Sequence, residues 1–122
     1  MTEADVIRVI HEHVEGLFPK TCQGCGRVFP NYRDYLQNTE HVGIPLSYDI
    51  QLNNWQPGNS SGNVALANCH CGSTLAISSK GMPLSQIWQV LYWVKVESHR
   101  RKVKTDVIIC YIRDEVEKKA LG

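Results

Sequence analysis

The chain has 122 residues, 43% of them hydrophobic and 20% charged, with a formal net charge of +1. These proportions exclude a globally disordered chain, and no apolar run approaches the roughly 18–20 residues that a membrane-spanning helix needs. A charge this small does not by itself announce a polyanion as partner. The length predicts one domain, 1–122, in three parts at 1–19, 20–80 and 81–122.

The opening stretch, MTEADVIRVIHEHVEG, is acidic and amphipathic. Val6, Ile10, Val14 and Leu17 recur every three or four residues, which predicts a helix over Glu3–Gly16 with one apolar stripe. Thr2 and Asp5 stand at capping-box spacing before it, and Gly16 and Pro19 end it. The segment lacks the basic start and apolar centre of a secretory signal, so the chain is expected to be cytoplasmic and to keep its cysteines reduced. His11 and His13 fall on different sides of this helix and cannot share a metal there.

The middle, 20–80, reads as short strands and loops. RVF at Arg27–Phe29 is a short strand, and Pro30 and Asn31 open a helical turn or two in NYRDYLQ. IPLSYDIQL is strand-like, and NNWQPGNSSGN is a polar loop. VALAN and STLAIS are the two arms of a hairpin.

From Pro83 the chain turns helical. PLSQIWQVLYWVKVESH carries a main stripe of Leu84, Ile87, Trp88, Leu91 and Val94, while Val90, Trp93 and Val96 fall on other faces. A helix apolar nearly all round is packed from more than one side, so Trp93, Val90 and Val96 are the candidate interface with a protein partner or a second copy. Thr105 is expected to cap a last helix, DVIICYIRDEVEKKA, with Ile108, Ile109, Ile112, Val116 and Ala120 as its stripe. Between these helices Lys95, Arg100, Arg101, Lys102 and Lys104 face only Glu97 in sequence. They are the candidate phosphate contacts of a nucleic-acid-binding alternative. The aromatic residues do not interleave with them, and SHRRKVK is longer than a helix-turn-helix turn and holds no glycine.

Two stretches carry the metal chemistry. TCQGCGRVF at Thr21–Phe29 and NCHCGSTL at Asn68–Leu75 each set two cysteines close together with a glycine after the second. Such a turn offers two thiolates from one loop, and the glycine lets the backbone double back towards an ion. Cys22, Cys25, Cys69 and Cys71 are therefore the candidate ligands. Cys110, in DVIICYI, is left over as a small core residue.

CQGCGR and CHCGS together resemble the zinc-ribbon group, in which two cysteine knuckles on β-hairpins share one structural zinc. The resemblance covers Thr21–Ile77. It implies a small antiparallel β unit, and with the helices read at either end the expected fold is α+β: a small zinc-ribbon-like antiparallel β unit with an N-terminal helix and two C-terminal helices. It also implies one structural Zn²⁺ per chain on Cys22, Cys25, Cys69 and Cys71. CHCGS departs from the pattern by having one residue between its cysteines, which leaves His70 or His41 open as a replacement ligand. Other readings of the cysteines are a thiol redox pair, which would want a thioredoxin-like setting, and an iron–sulfur cluster. A two-Cys, two-His finger beginning at CQGC has only His41 within reach.

Four thiolates on one zinc leave no open position for substrate or water. No nucleophile–base constellation, phosphate loop or dinucleotide fingerprint stands elsewhere. The sequence thus reads as a non-enzymatic zinc-binding protein, an interaction or regulatory adaptor, with no membrane partner.

Overall fold

A computed structural model describes residues 1–47, 63–78 and 81–122. All of the NNWQPGNSSGN loop but its last residue, and the second half of IPLSYDIQL, lie outside the described residues. The chain is α+β, with helices at both ends and two small antiparallel sheets between them.

The first helix, α1 (Glu3–Glu15), begins where the sequence places it. The Thr2 hydroxyl accepts from the Asp5 amide at 3.2 Å, and the Thr2 amide donates to the Asp5 carboxylate at 3.0 Å. Two of the amides a helix leaves unpaired at its start are thereby satisfied. Gly16 closes the other end. Val6, Val9 and Val14 are buried, so the inward face includes Val9 as well as the expected stripe.

A two-stranded hairpin follows, β1 (Lys20–Thr21) against β2 (Val28–Phe29). The short helix α2 (Tyr32–Gln37) is capped by the Asn31 side chain, which accepts from the Asp34 amide at 2.8 Å. Phe18, Phe29, Tyr32 and Tyr35 form one aromatic cluster, with ring centroids 5.4–6.3 Å apart. This cluster seats α2 on the first hairpin. The second sheet runs β3–β4–β5: β3 (Thr39–Ser47), β4 (Asn63–Cys69) and β5 (Thr74–Ser78), all antiparallel. The β4–β5 hairpin is the one expected from VALAN and STLAIS. β3 starts five residues earlier than the apolar run IPLSYDIQL suggests. There Thr39, Glu40 and His41 pair with Cys69, Asn68 and Ala67.

The C-terminal helices are α3 (Leu84–Arg101) and α4 (Thr105–Leu121). Pro83 is the residue before α3, not its first, and Lys104 occupies the cap of α4, so Thr105 lies inside that helix and makes no side-chain cap. The turn between them is therefore Lys102–Lys104, shorter than the SHRRKVK stretch implies. Lys102 takes the left-handed conformation (φ +55°) that lets its amide and that of Val103 reach back to the carbonyls of His99 and Ser98.

Helix α4 holds the parts together, packing on α1, α2, α3 and β3. Its stripe is the expected one: Ile108, Ile109, Ile112 and Val116 are buried, with Ala120 packed beside them. The same cluster takes in Val6, Phe29, Tyr35, Ala67, Leu75, Val94 and two of the cysteines. A smaller cluster of Val9, Met82, Ile87 and Leu91 joins α1 to the start of α3. The phase of α3 differs from the expected stripe. Ile87, Val90, Leu91, Trp93 and Val94 point inward, while Leu84 and Trp88 stay exposed. With apolar residues on every side of this helix, the positions of α1 and α4 decide which face is buried. Among the described residues, no helix is long and apolar enough to cross a membrane.

Ile108 is 1% exposed, so Ile108→Ala should remove about 2–5 kcal/mol of stability through lost burial and the cavity left behind. Val107→Ala, one residue away on the exposed side, should be near neutral. Denaturant unfolding of the two variants checks both.

Candidate metal centre

The two cysteine turns are built on the same plan with different lengths. In the first, between β1 and β2, the Cys22 amide donates to the Arg27 carbonyl at 2.8 Å and the Gly26 amide to the Cys22 carbonyl at 2.9 Å. In the second, between β4 and β5, the Cys69 amide donates to the Ser73 carbonyl and the Gly72 amide to the Cys69 carbonyl, both at 2.9 Å. Each return bond in the second turn spans one residue fewer, which is how Cys-x-Cys makes a knuckle. Gly26 and Gly72 adopt φ of +76° and +93°, the region where side chains are strained. The glycine expected after each pair does the work expected of it.

All four thiol sulfurs lie within 4.8 Å of one another. Cys22 Sγ is 3.6 Å from Cys71 Sγ, and Cys25 Sγ is 3.7 Å from Cys69 Sγ. A tetrahedron of sulfurs around one ion with bonds of about 2.3 Å has edges of about 3.8 Å. The spacing is that of ligands around a single metal, and the donor set is four soft thiolates. Cys22 and Cys69 are buried in the core cluster, whereas Cys25 and Cys71 face solvent. The site thus sits at the edge of the core and ties its inner half to the packed interior.

Backbone amides prepare the sulfurs for an ion. The Cys25 amide, then that of Gly24, bonds to the Cys22 sulfur and lowers its pKa against the opposing effect of burial. The Ser73 hydroxyl, followed by the Ser73 amide, brings Cys71 down to about 6. At Cys25 the Arg27 amide pulls downward, but burial and the thiols of Cys69, Cys22 and Cys71 outweigh it and push the value up to about 11. Negative charge crowding onto adjacent sulfurs is the condition a bound cation relieves.

Sequence reasoning missed two residues here. Gly24 lies against the second knuckle: a Cβ built on it would stand 2.9 Å from Ser73 Cβ and 3.2 Å from Cys71 Sγ. Ser73 supplies the bond to Cys71. Gly24 falls inside the pair instead of after it, and only the meeting of the two turns reveals why a side chain is excluded.

The histidines stand apart from this cluster. His41 Nε2 is 2.7 Å from Glu117 Oε1 on α4, and His70 is exposed on the second turn, outside the four-residue group. The first cysteine pair lies on a hairpin, not in a βαβ unit, and the shortest sulfur approaches cross between turns.

Two of the five cations in the basic segment are tied down. Arg100 and Arg101 both bond to the Glu97 carboxylate, through contacts of 2.5 and 2.8 Å, and Arg101 reaches Glu3 on α1 at 3.2 Å. The Arg101 guanidinium also lies over the Tyr111 ring, 5.3 Å from its centroid. Lys95, Lys102 and Lys104 are exposed and have no ion pair among the described residues. The expected partner interface needs correction. Val90 and Trp93 are 4% and 7% exposed and belong to this chain's own core cluster, whereas Val96 is exposed. Cys110 is half-buried, and burial raises its thiol.

No protein-family model, curated protein or solved structure matches the chain. The site is consistent with a zinc-ribbon-like arrangement on its geometry alone.

Gly24→Ala should weaken metal retention by about 10–100-fold, as loss of a supporting contact around a metal does, while Gln23→Ala, exposed on the same turn, should not. Competition with a chromogenic chelator measures both. The Arg100 and Arg101 guanidinium groups hold the Glu97 carboxyl below its ordinary 4.5. The stability this contributes is complete above that value and is lost as pH falls through the lowered one. Glu97→Gln should therefore lower the melting temperature at neutral pH and flatten its decline below pH 4.5, followed by thermal unfolding across that range.

Proposed function

We propose that this chain is a non-enzymatic zinc protein whose metal holds an interaction module in shape. The observation that carries the reading is the approach of four thiol sulfurs, from two separate turns, to the edge lengths of a single tetrahedral ion. Cys22, Cys25, Cys69 and Cys71 would hold the ion. When bound it supplies structural cross-linking, because four sulfur ligands fill a zinc coordination sphere and leave no place for water or substrate. The short sulfur spacing supports one ion over a multi-iron cluster, in which the four thiolates are divided among two or four iron atoms and stand farther apart.

The rest of the molecule supports binding over catalysis. The zinc-ribbon-like unit joins residues 49 apart in sequence and fastens them to α4. That helix in turn positions α3, which presents apolar side chains outward. A regulatory or adaptor protein needs such a surface on a rigid support.

The nucleic-acid reading stands second on one observation, the three exposed lysines at 95, 102 and 104, which have no ion pair among the described residues. Against it, two of its five expected cations are neutralised by Glu97 and Glu3, and a paired guanidinium has less to gain from a phosphate.

Protein purified without added metal should carry about one zinc per chain by elemental analysis. Cys22→Ser or Cys69→Ser should abolish it, and His70→Ala should leave it unchanged. Iron in place of zinc, or no metal, overturns the proposal. Salt-sensitive nucleic-acid binding lost in Lys95→Ala/Lys104→Ala would replace the adaptor reading with the second one.

A further inference from the structure

The four thiols of the metal centre differ in access in a regular way. Cys22 and Cys69 are 1% and 4% exposed, whereas Cys25 and Cys71 face solvent, so each turn holds one buried and one open sulfur. Close approaches run between the turns: Cys22 Sγ lies 3.6 Å from Cys71 Sγ, and Cys25 Sγ lies 3.7 Å from Cys69 Sγ. Both pairs join an open sulfur to a buried one. A disulfide bond of about 2.05 Å asks each pair to close by about 1.5 Å, a movement that side-chain rotation supplies. Packing also holds the turns together. Gly24 lies so near Ser73 and Cys71 that a Cβ has no room, and both buried cysteines belong to the core cluster.

We propose, resting on the zinc reading of these four thiols, that the centre is a reversible redox switch: hydrogen peroxide converts the two cross-turn pairs to disulfides, which releases the zinc and leaves the turns joined. The open sulfurs of Cys71 and Cys25 meet the oxidant, which is small and needs no binding pocket. A thiolate attacks one peroxide oxygen; the S–O bond forms, the O–O bond breaks and hydroxide leaves. The sulfur loses two electrons to become a sulfenic acid, and the peroxide gains the same two. The buried partner, Cys22 or Cys69, then attacks that sulfur as a thiolate. The S–S bond forms, the S–O bond breaks and a second hydroxide leaves. Two thiolates and one peroxide thus yield one disulfide and two hydroxide ions, which solvent protons convert to water. A thiolate is the ligand form of cysteine, so each disulfide removes two of the four ligands.

Pairing across the turns decides what happens to the fold. Disulfides inside each turn, Cys22–Cys25 and Cys69–Cys71, would free the ion and leave the turns without a link. Disulfides between residues 49 and 44 apart in sequence replace the ion's cross-link with covalent ones. The same geometry makes the change reversible. One sulfur of each disulfide, that of Cys71 or Cys25, stays open to attack by an external thiol such as glutathione. Cys110 on α4 stands outside the four-thiol group and takes no part.

The test treats protein purified with its zinc, at neutral pH, with about a tenfold excess of hydrogen peroxide. A chromogenic indicator follows released zinc. The product is alkylated without reduction and cut with trypsin, which places Cys22 and Cys25 on peptide 21–27 and Cys69 and Cys71 on peptide 34–80. Release of about one zinc per chain is expected, with the two peptides joined and their fragment spectra assigning Cys22–Cys71 and Cys25–Cys69. Circular dichroism should keep its helical signal, glutathione should restore zinc binding, and Cys110→Ser should alter none of these results. Zinc retained under peroxide overturns the switch and leaves the scaffold standing. Separate peptides with internal disulfides, the opposite cross-turn connectivity, or loss of the helical signal overturn the pairing. Zinc that does not return after reduction overturns the reversibility. Protein without zinc at the outset overturns the scaffold, and the switch with it.

Discussion

The convergence of two cysteine turns is the constraint on which the molecule's organisation depends. Cys22 and Cys71 lie 49 residues apart in the chain and Cys25 and Cys69 lie 44 apart, yet their sulfurs meet at under 4 Å. Closing loops of that length costs chain entropy that a small core offsets with difficulty. An ion held by all four thiolates would supply that closure through coordination, with the two buried cysteines already part of the hydrophobic cluster. The amides that surround the sulfurs are then as much a part of the fold as of the site.

From that junction order passes outward through α4. The helix packs on the sheet through β3 and on each of the other helices, so one stripe of isoleucines and a valine serves several neighbours at once. The His41–Glu117 contact adds a polar tie between β3 and α4. Burial raises Glu117 towards its neutral form while the His41 imidazole opposes that shift, which makes the tie a compromise between desolvation and attraction. At the other end, Glu3, Glu97, Arg101 and Tyr111 fasten α1, α3 and α4 together. A run of basic residues that looks like an anion-binding tract in sequence thus serves partly as internal stitching.

The helix α3 shows how an ambiguous pattern is resolved. Every face of it carries apolar side chains, and either Leu84–Trp88–Leu91 or Ile87–Val90–Leu91–Val94 could line a core by spacing alone. Packing against α1 and α4 selects the second and leaves the ridge of Leu84, Trp88, Tyr92 and Val96 outside. Trp93, the residue that attracts attention in sequence, belongs to the interior, and Tyr92 beside it takes the outward place.

What the sequence determined by itself is local: the capped first helix, the glycine-closed cysteine turns, the β4–β5 hairpin, the stripe of α4 and the identity of the four thiols. Each follows from residues within a few positions of one another, where cap chemistry, left-handed glycines and periodicity act. The tertiary structure alone decided the matters that depend on distant neighbours. It set the two turns face to face so that Gly24 can bear no side chain, placed Ser73 on the Cys71 sulfur, neutralised Arg100 and Arg101, and chose the buried face of α3. Those outcomes turn on which surfaces meet, and a linear pattern carries no record of that.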